Sequence, residues 1–316
     1  MNKLTKEKKP FLFILDSDLK TPIVEELKNI NPNQILFCLN GVSNHEQNPD
    51  AHPPKSMNLR AQIPPYISFL KKFENVQSEI RAGNTYLLNL TFQHPLDINL
   101  SLKDIFYNSQ AKYKLWLKNK FVLFSPETFV KVKNKEIFTY PMKGTAEKLN
   151  ENSVIELLED KKEAAEHATI TDLLRNDLGR VANNIRVTRY RYVDEIKTRE
   201  KTLLQVSSEI TANLFPHYYE KPGNLLNELL PAGSVTGAPK KKTVEIIKRI
   251  EDYERGFYTG VFGLFNGRDI DSAVMIRFIE KKNGNYFYKS GGGITFLSDP
   301  LKEYQEIKQK IYVPVY

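Results

Sequence analysis

The apolar positions along the chain fall into short unbroken runs and longer stretches with helical spacing. Residues 10–16 (PFLFILD) and 34–39 (QILFCL) are continuous runs of strand length, the pattern of strands covered on both faces. Residues 41–65 are polar, with Asn44, Asn48, Pro53 and Pro54, and predict a loop or linker. Over 66–82, Ile67, Leu70, Phe73 and Ile80 fall on one helical face, and Gly83 supplies a stop. Residues 85–92 alternate as a strand, and 114–118, 120–125, 130–132 and 136–140 read as a meander. A long helix is predicted over 154–178, closed by Gly179 as its C′ residue. Residues 185–193 and 201–210 return to sheet or short helix, and 240–249 is helical. Strands at 257–265, 271–280 and 286–290 precede a last helix over 301–311. Antiparallel runs with long helices between them predict an α+β fold, not a doubly wound parallel sheet. No repeat is present, and residues 1–65 are expected to add short strands and a linker that complete a sheet built by 66–316.

Composition narrows this picture. With 41% hydrophobic and 27% charged residues in 316, the chain is of ordinary globular type. Its longest apolar run, residues 11–15, is far too short to cross a bilayer, and no signal-like apolar segment follows the lysines of residues 1–9. The net charge of +8 comes from lysines spread along the whole chain, so a solvated surface, or one that attracts a small dianion, is expected rather than a nucleic-acid site. The single Cys38 excludes an internal disulfide and suits a reducing compartment, with the cytoplasm as the expected location.

Several segments carry candidate chemistry. In EDKKEAAEHATITDLLRNDLG, Glu166 stands four residues before Ile170 and seven before Leu173, on their helical face, with Glu163 one turn earlier. In the last helix Leu301, Tyr304, Ile307 and Ile311 form a stripe flanked by Glu303 and Glu306. Two Glu-x-x-Glu pairs can converge on one hard cation such as Mg²⁺, although the same spacing is common on solvated faces. PAGSVTGAPK leads into a helix whose first N–H groups can receive an anion, but it is no nucleotide P-loop, because Ala238 follows Gly237. Gly291, Gly292 and Gly293 allow close approach of a ligand or form a simple turn. Arg277, near the end of the expected strand DSAVMIRF, offers a planar fork to a carboxylate or a salt bridge at a strand end. Lys143 closes a strand in YPMKGT. As a nucleophile it would need its pKa lowered by roughly 3 units from about 10.4; otherwise it is a surface lysine.

Taken in order, AGNTYLLNLT, SPETFV, TYPMKGT, KKEAAEH with DLLRNDLGRV, LPAGSVTGAPK, RGFYTGVFG, AVMIRF, and GGGI with PLKEYQEIKQK resemble the chorismate-binding enzyme family from about residue 66 onward. The resemblance implies two large packed antiparallel sheets with helices outside, and Mg²⁺ holding the ring carboxylate of chorismate. By position, Glu166 and Glu306 look like direct metal ligands, and Glu163 and Glu303 like ligands acting through water. Arg277 and Tyr258 look like the grip on the enolpyruvyl carboxylate. Thr145, Thr236, Gly292, Gly293 and Lys310 match positions around the substrate.

Family members that make anthranilate carry Ala at the position of Lys143; those that make 4-amino-4-deoxychorismate, on the way to folate, carry Lys. The resemblance therefore implies that Lys143 adds at C2 of chorismate and expels the C4 hydroxyl, after which ammonia attacks C4. Members that hydrate the ring need a lysine base near the position of Leu87, which cannot take a proton. Gln205 stands where many relatives have His, which fits an amination that stops before pyruvate elimination. Asn108–Ala111 replaces an Asn-Pro-x-Pro-type segment, so a tryptophan pocket is not carried over. Asn176, Asp177 and Arg180 read as a helix terminus, with an outer role at the metal open to Asp177. Cys38 lies in an apolar run and reads as a core residue, so ammonia is expected from a separate glutamine amidotransferase subunit.

Overall fold

A computed structural model of the protein describes residues 1–45, 56–197 and 202–314; Asn48, Pro53 and Pro54 of the expected loop lie outside these. Among the described residues the chain folds into two nine-stranded antiparallel sheets flanked by helices, the α+β arrangement that the sequence predicts. The helices are α1 (Asn2–Lys6), α2 (Tyr66–Arg81), α3 (Leu102–Asn108), α4 (Ser153–Glu159), α5 (Lys161–Gly179), α6 (Pro222–Leu229), α7 (Lys240–Ile250) and α8 (Pro300–Gln309).

Sheet one runs β11 (Met142–Glu147), β13 (Thr202–Leu214), β10 (Glu136–Thr139), β9 (Thr128–Lys133), β16 (Ile270–Val274), β15 (Val261–Phe265), β1 (Phe11–Leu15) and β2 (Ile23–Glu26). Strand β12 (Ala182–Lys197) also pairs with β13. Sheet two runs β14 (Gly237–Ala238), β6 (Leu87–Ile98), β18 (Asn285–Thr295), β17 (Phe278–Lys282), β8 (Phe121–Ser125), β7 (Tyr113–Leu117), β3 (Ile35–Leu39) and β4 (Val42–Ser43). Strand β5 (Leu59–Ala61) pairs with β6. The first 65 residues thus supply strands to both sheets.

The unbroken apolar run of β1 follows from its place between two layers. Phe11, Phe13 and Leu15 pack with Leu178, Leu225 and Leu226 under α5 and α6, while Leu12 and Ile14 meet Phe37, Leu115, Phe262 and Phe278 between the sheets. Each such side chain contributes about 1.5–3 kcal/mol on full burial. The outer face of sheet two packs on α3 through Trp116, Val122, Ile105 and Phe106. Its β6–β18 end is covered by Phe69 and Phe73 of α2, Ile246 of α7 and Ile307 of α8.

Several elements differ from the sequence reading. The helix expected over 154–178 is two helices, because Asp160 caps α5 by accepting a hydrogen bond from Glu163 N at 3.0 Å. This is an Asp-x-x-Glu start signal. Gly179 lies inside α5, which ends at Arg180 in the right-handed region, whereas Gly83 takes the expected left-handed turn at φ +74°. The strand expected over 271–280 is two strands in different sheets. Ile67 is 71% exposed, and Phe69 and Val76 occupy the buried face of α2 instead. Lys143 does not close the strand before it but is the second residue of β11, after β10 has ended at Thr139. Strands β2 and β5 and helices α3 and α6 are absent from the sequence reading; they are short, although the buried positions of α6, Pro222, Leu225, Leu226 and Leu229, do have helical spacing. Among the described residues, no helix is long and apolar enough to cross a membrane.

Candidate active site

Strand β11 bulges at Lys143. Met142 pairs with Ser207 and Thr145 with Gln205, so Lys143 and Gly144 together oppose Val206 alone. Gly144 adopts φ +90°, a region side chains disfavour, and a Cβ there would lie 3.3 Å from Glu163 Oε2. The Gln205 amide donates to Gly144 O (2.9 Å) and Val206 O (3.2 Å) and holds the extra residue in place. Bulges re-aim side chains, and this one turns Lys143 toward α5, where its Nζ is 2.7 Å from Glu166 Oε2. Helix α5 is fixed to the sheet beside this point by buried His167, whose Nε2 is 2.7 Å from Ser208 Oγ. The side chain of Thr145 lies outside the described part of the structure.

A second acidic pair comes from α8, whose N-cap Asp299 accepts from Lys302 N at 2.9 Å. Glu303 is buried and accepts from Ser298 Oγ at 2.8 Å. Glu306 Oε1 is 2.6 Å from Lys310 Nζ, which also donates to Gly291 O at 2.9 Å. The glycine triplet is not a turn; it lies within β18, opposite Thr91, Leu90 and Asn89. A Cβ on Gly292 would meet Glu303 Oε2 at 3.4 Å and Lys310 Nζ at 4.0 Å, whereas one on Gly293 would meet Leu87. Gly292 therefore faces the carboxylates, and Gly293 faces away from them.

The two pairs converge. Burial works against the charge on Lys143, but Glu306, Glu166 and Glu163 together outweigh it and raise the pKa. This corrects the expected lowered pKa: carboxylates from both helices hold the amine in its charged form. Burial pulls Lys310 down, Glu306 opposes, and Arg277 and Lys143 pull it down further. Among the described residues no three acidic or imidazole groups already stand in ligand geometry. Instead the ammonium groups of Lys143 and Lys310 rest on Glu166 and Glu306. Glu163, Glu166 and Glu306, which act on the Lys143 ammonium, are oxygen donors of the kind a hard divalent ion takes, with Glu303 beside Gly292.

Arg277 sits at the joint between the sheets. The chain leaves β16 in sheet one, turns at Arg277 with φ +52°, and enters β17 in sheet two. Met275 and Phe278, buried between the sheets, fix this turn from both sides. The guanidinium lies beside the rings of Tyr312, Tyr288 and Tyr258, whose oxygens offset the effect of burial on its charge. Tyr258 belongs to the inter-sheet core, and burial raises its phenol well above the usual range. Thr236 is buried at the end of a short 3-10 turn (Gly233–Val235), and its carbonyl accepts from Asn89 N at 2.9 Å.

Two contributors escaped the sequence reading. Glu127, inside SPETFV, accepts a hydrogen bond from Ser234 Oγ at 2.5 Å. Burial raises its pKa, against Ser234 and the charges of Arg277 and Lys310. Arg255 of RGFYTG forms a buried bidentate pair with Glu251 (Nη2–Oε1 2.6 Å, Nε–Oε2 2.9 Å) and donates to Val235 O and Asn89 O. It ties the Thr236 turn to β6. Asp177 pairs with Lys240 at 2.8 Å and would touch a Cβ on Gly233 at 2.7 Å, so it packs the PAGSV segment on α5.

The chain matches the chorismate binding enzyme family over residues 14–315. An uncharacterized PabA-like protein of Haemophilus influenzae is 43% identical over 314 residues, 99% of this chain and 95% of that protein. Aminodeoxychorismate synthase component 1 of Bacillus subtilis is 30% identical over 262 residues, which cover 77% of this chain and 54% of that protein. Anthranilate synthase component I from Streptococcus pneumoniae aligns with a TM-score of 0.69 at 28% identity, over 81% of this chain and 59% of that one. With the family match running across both sheets and every segment of the acidic cluster, this chain belongs to the chorismate binding enzyme family.

Proposed function

We propose that the protein aminates chorismate with ammonia to 4-amino-4-deoxychorismate through a covalent adduct on Lys143. The observation that carries this reading is the placement of the Lys143 amine, on a bulge of β11, within a cluster of carboxylates from α5 and α8. Glu163, Glu166, Glu303 and Glu306 would hold Mg²⁺. That ion would supply the positive charge that receives the ring carboxylate of chorismate. Arg277 and Tyr258 would take the enolpyruvyl carboxylate, with Thr236, Gly292 and Lys310 around the ring.

Addition at C2 requires Lys143 to leave Glu166 and lose its proton. The new C–N bond at C2 moves both ring double bonds, C1=C2 to C1=C6 and C5=C6 to C4=C5, and breaks the C4–O bond. The departing hydroxyl needs a proton, and Glu127, whose carboxyl burial favours in its neutral form, would donate it. Ammonia then forms a bond at C4 and the lysine departs from C2. Gln205, tied to the Gly144 and Val206 carbonyls, offers no acid or base for a later elimination. Cys38 lies on β3 of sheet two, so ammonia would come from a separate glutamine amidotransferase subunit.

Product analysis with chorismate, Mg²⁺ and an ammonium salt tests the proposal. The wild type should give 4-amino-4-deoxychorismate and Lys143→Ala should lose most of it. Fluorescent anthranilate as the direct product would move the protein to the anthranilate branch. Equal rates in the two proteins would end the covalent mechanism, and no turnover by either would leave a binding subunit.

A further inference from the structure

Arg277 is a half-buried cation of the site that lies over the ring of Tyr312, and its buried Nε has no hydrogen-bond partner among the described residues. Two of the three surrounding tyrosines, Tyr258 and Tyr288, are buried; Tyr312 is 43% exposed and forms the side toward water. Its ring centroid is 5.3 Å from the guanidinium carbon. The backbone that carries Tyr312 is pinned. Tyr288 Oη donates to Lys310 O at 3.0 Å and to Tyr312 O at 2.9 Å, and Gln110 N donates to Pro314 O at 2.7 Å. Val313 is buried in the core beside α3. A ring on so fixed a stem is a wall and not a loose flap.

The consequence follows from dielectric. A guanidinium open to water spends its donors on solvent, and its attraction to an anion falls toward the value in bulk water. Covering its outer face keeps the donors aimed inward and strengthens a charge-assisted pair with an incoming carboxylate. We propose that Tyr312 is a positioning residue for the substrate's side-chain carboxylate: its ring closes the outer face of Arg277 and excludes water from the ion pair. This rests on the reading of Arg277 given above. The ring face covers the guanidinium, and the hydroxyl, an acceptor toward it, adds to the hold.

The test is steady-state kinetics with chorismate, Mg²⁺ and ammonium for wild type, Tyr312→Phe, Tyr312→Leu and Arg277→Ala, each at low and high salt. Tyr312→Leu should raise KM about 3-fold to 30-fold with kcat nearly unchanged, the range of a desolvated cation–π contact. Its KM should also climb more steeply with salt, because an ion pair open to water is screened. Tyr312→Phe keeps the ring but loses the hydroxyl that faces the guanidinium, so its KM should fall between those of wild type and Tyr312→Leu. The exposed side chain should be dispensable for folding, and Tyr312→Gln carries the same expectation if the Leu variant does not accumulate. Arg277→Ala with an unchanged KM would overturn the reading of Arg277 itself. Arg277→Ala with a raised KM, beside a Tyr312→Leu protein of normal KM and normal salt slope, would overturn only the role of Tyr312.

Discussion

Neighbouring glycines of β18 should respond to alanine in opposite ways. At Gly291 a Cβ would lie 2.5 Å from Leu90 O and 2.6 Å from Thr91 Cγ2, so the β6–β18 ladder itself would have to move. At Gly292 the nearest atoms are Glu303 Oε2 at 3.4 Å and Lys310 Nζ at 4.0 Å, which is ordinary contact, and φ is not in the left-handed region. Gly292→Ala should therefore fold with stability within about 1 kcal/mol of wild type, since alanine restricts the unfolded chain more than glycine does. The added methyl nevertheless projects between β18 and the carboxylates, where the ring and its metal would sit. Forcing a methyl into a filled site costs about 1–3 kcal/mol, or roughly 5-fold to 150-fold in kcat/KM. Gly291→Ala should instead lose stability at the upper end of that range or fail to accumulate. Urea midpoints and chorismate consumption with ammonium and Mg²⁺ measure both quantities. A Gly292→Ala protein with wild-type kcat/KM would show that β18 does not border the substrate.

Glu251→Gln leaves the buried Arg255 guanidinium without its counter-charge and should cost about 3–5 kcal/mol, whereas Arg180→Ala, which breaks an exposed pair with Glu228, should cost under about 1 kcal/mol. Urea midpoints at constant m separate the two. Mg²⁺ should bind the wild type in calorimetry and fail to bind a Glu166→Gln, Glu306→Gln protein; equal binding by both would remove these residues from the metal site. Lys114, buried with its ammonium on Phe106 O and Ser109 O, is pushed down by burial to about 8. Between about pH 8 and the ordinary lysine value near 10.4 the unfolded chain holds the extra proton, so wild-type stability should rise with pH relative to Lys114→Met. The full gain is on the order of 3 kcal/mol, and a flat difference across that window would show that Lys114 titrates normally.

What could be read from the chain followed from burial geometry. The runs at β1 and β3 announced strands covered on both faces, and the two Glu-x-x-Glu pairs were visible as spacing. The same geometry hid the break at Arg277. The end of β16 and the start of β17 are buried and residues 273–276 are an unbroken apolar run, so periodicity carries no mark where the chain passes from one sheet to the other. The Asp160 cap was legible as Asp-x-x-Glu but lost inside a longer helical pattern. Exposed Ile67 shows the limit of a face assigned without its partners: α2 turns Phe69 and Val76 to β6, and Ile67 falls outside. Glu127 and Tyr312 had no local signature. The groups that give them meaning, Ser234, Arg277 and Lys310, lie far along the chain and meet them only in the fold.

The division of the site between the sheets explains why so much aromatic core lies under it. Lys143 projects from sheet one, Gly292 belongs to sheet two, and Arg277 is on the joint itself. The two ends of a bound ring would thus be held by elements whose separation is set by Phe262, Phe278, Leu12 and Ile14, the side chains packed between the sheets. Tyr258 belongs to that same core and also lies beside Arg277, so a residue proposed to take the carboxylate is also one that spaces the layers. Close-packed interiors resist small displacements, and a 1 Å error in the placement of a nucleophile is enough to slow a reaction by orders of magnitude. Mounting the amine and its target on opposite layers of one rigid core converts packing density into positional accuracy. The lone departures from regular strand at the centre of the site, the Lys143 bulge and the left-handed Arg277, are the two points where the core must release a side chain inward.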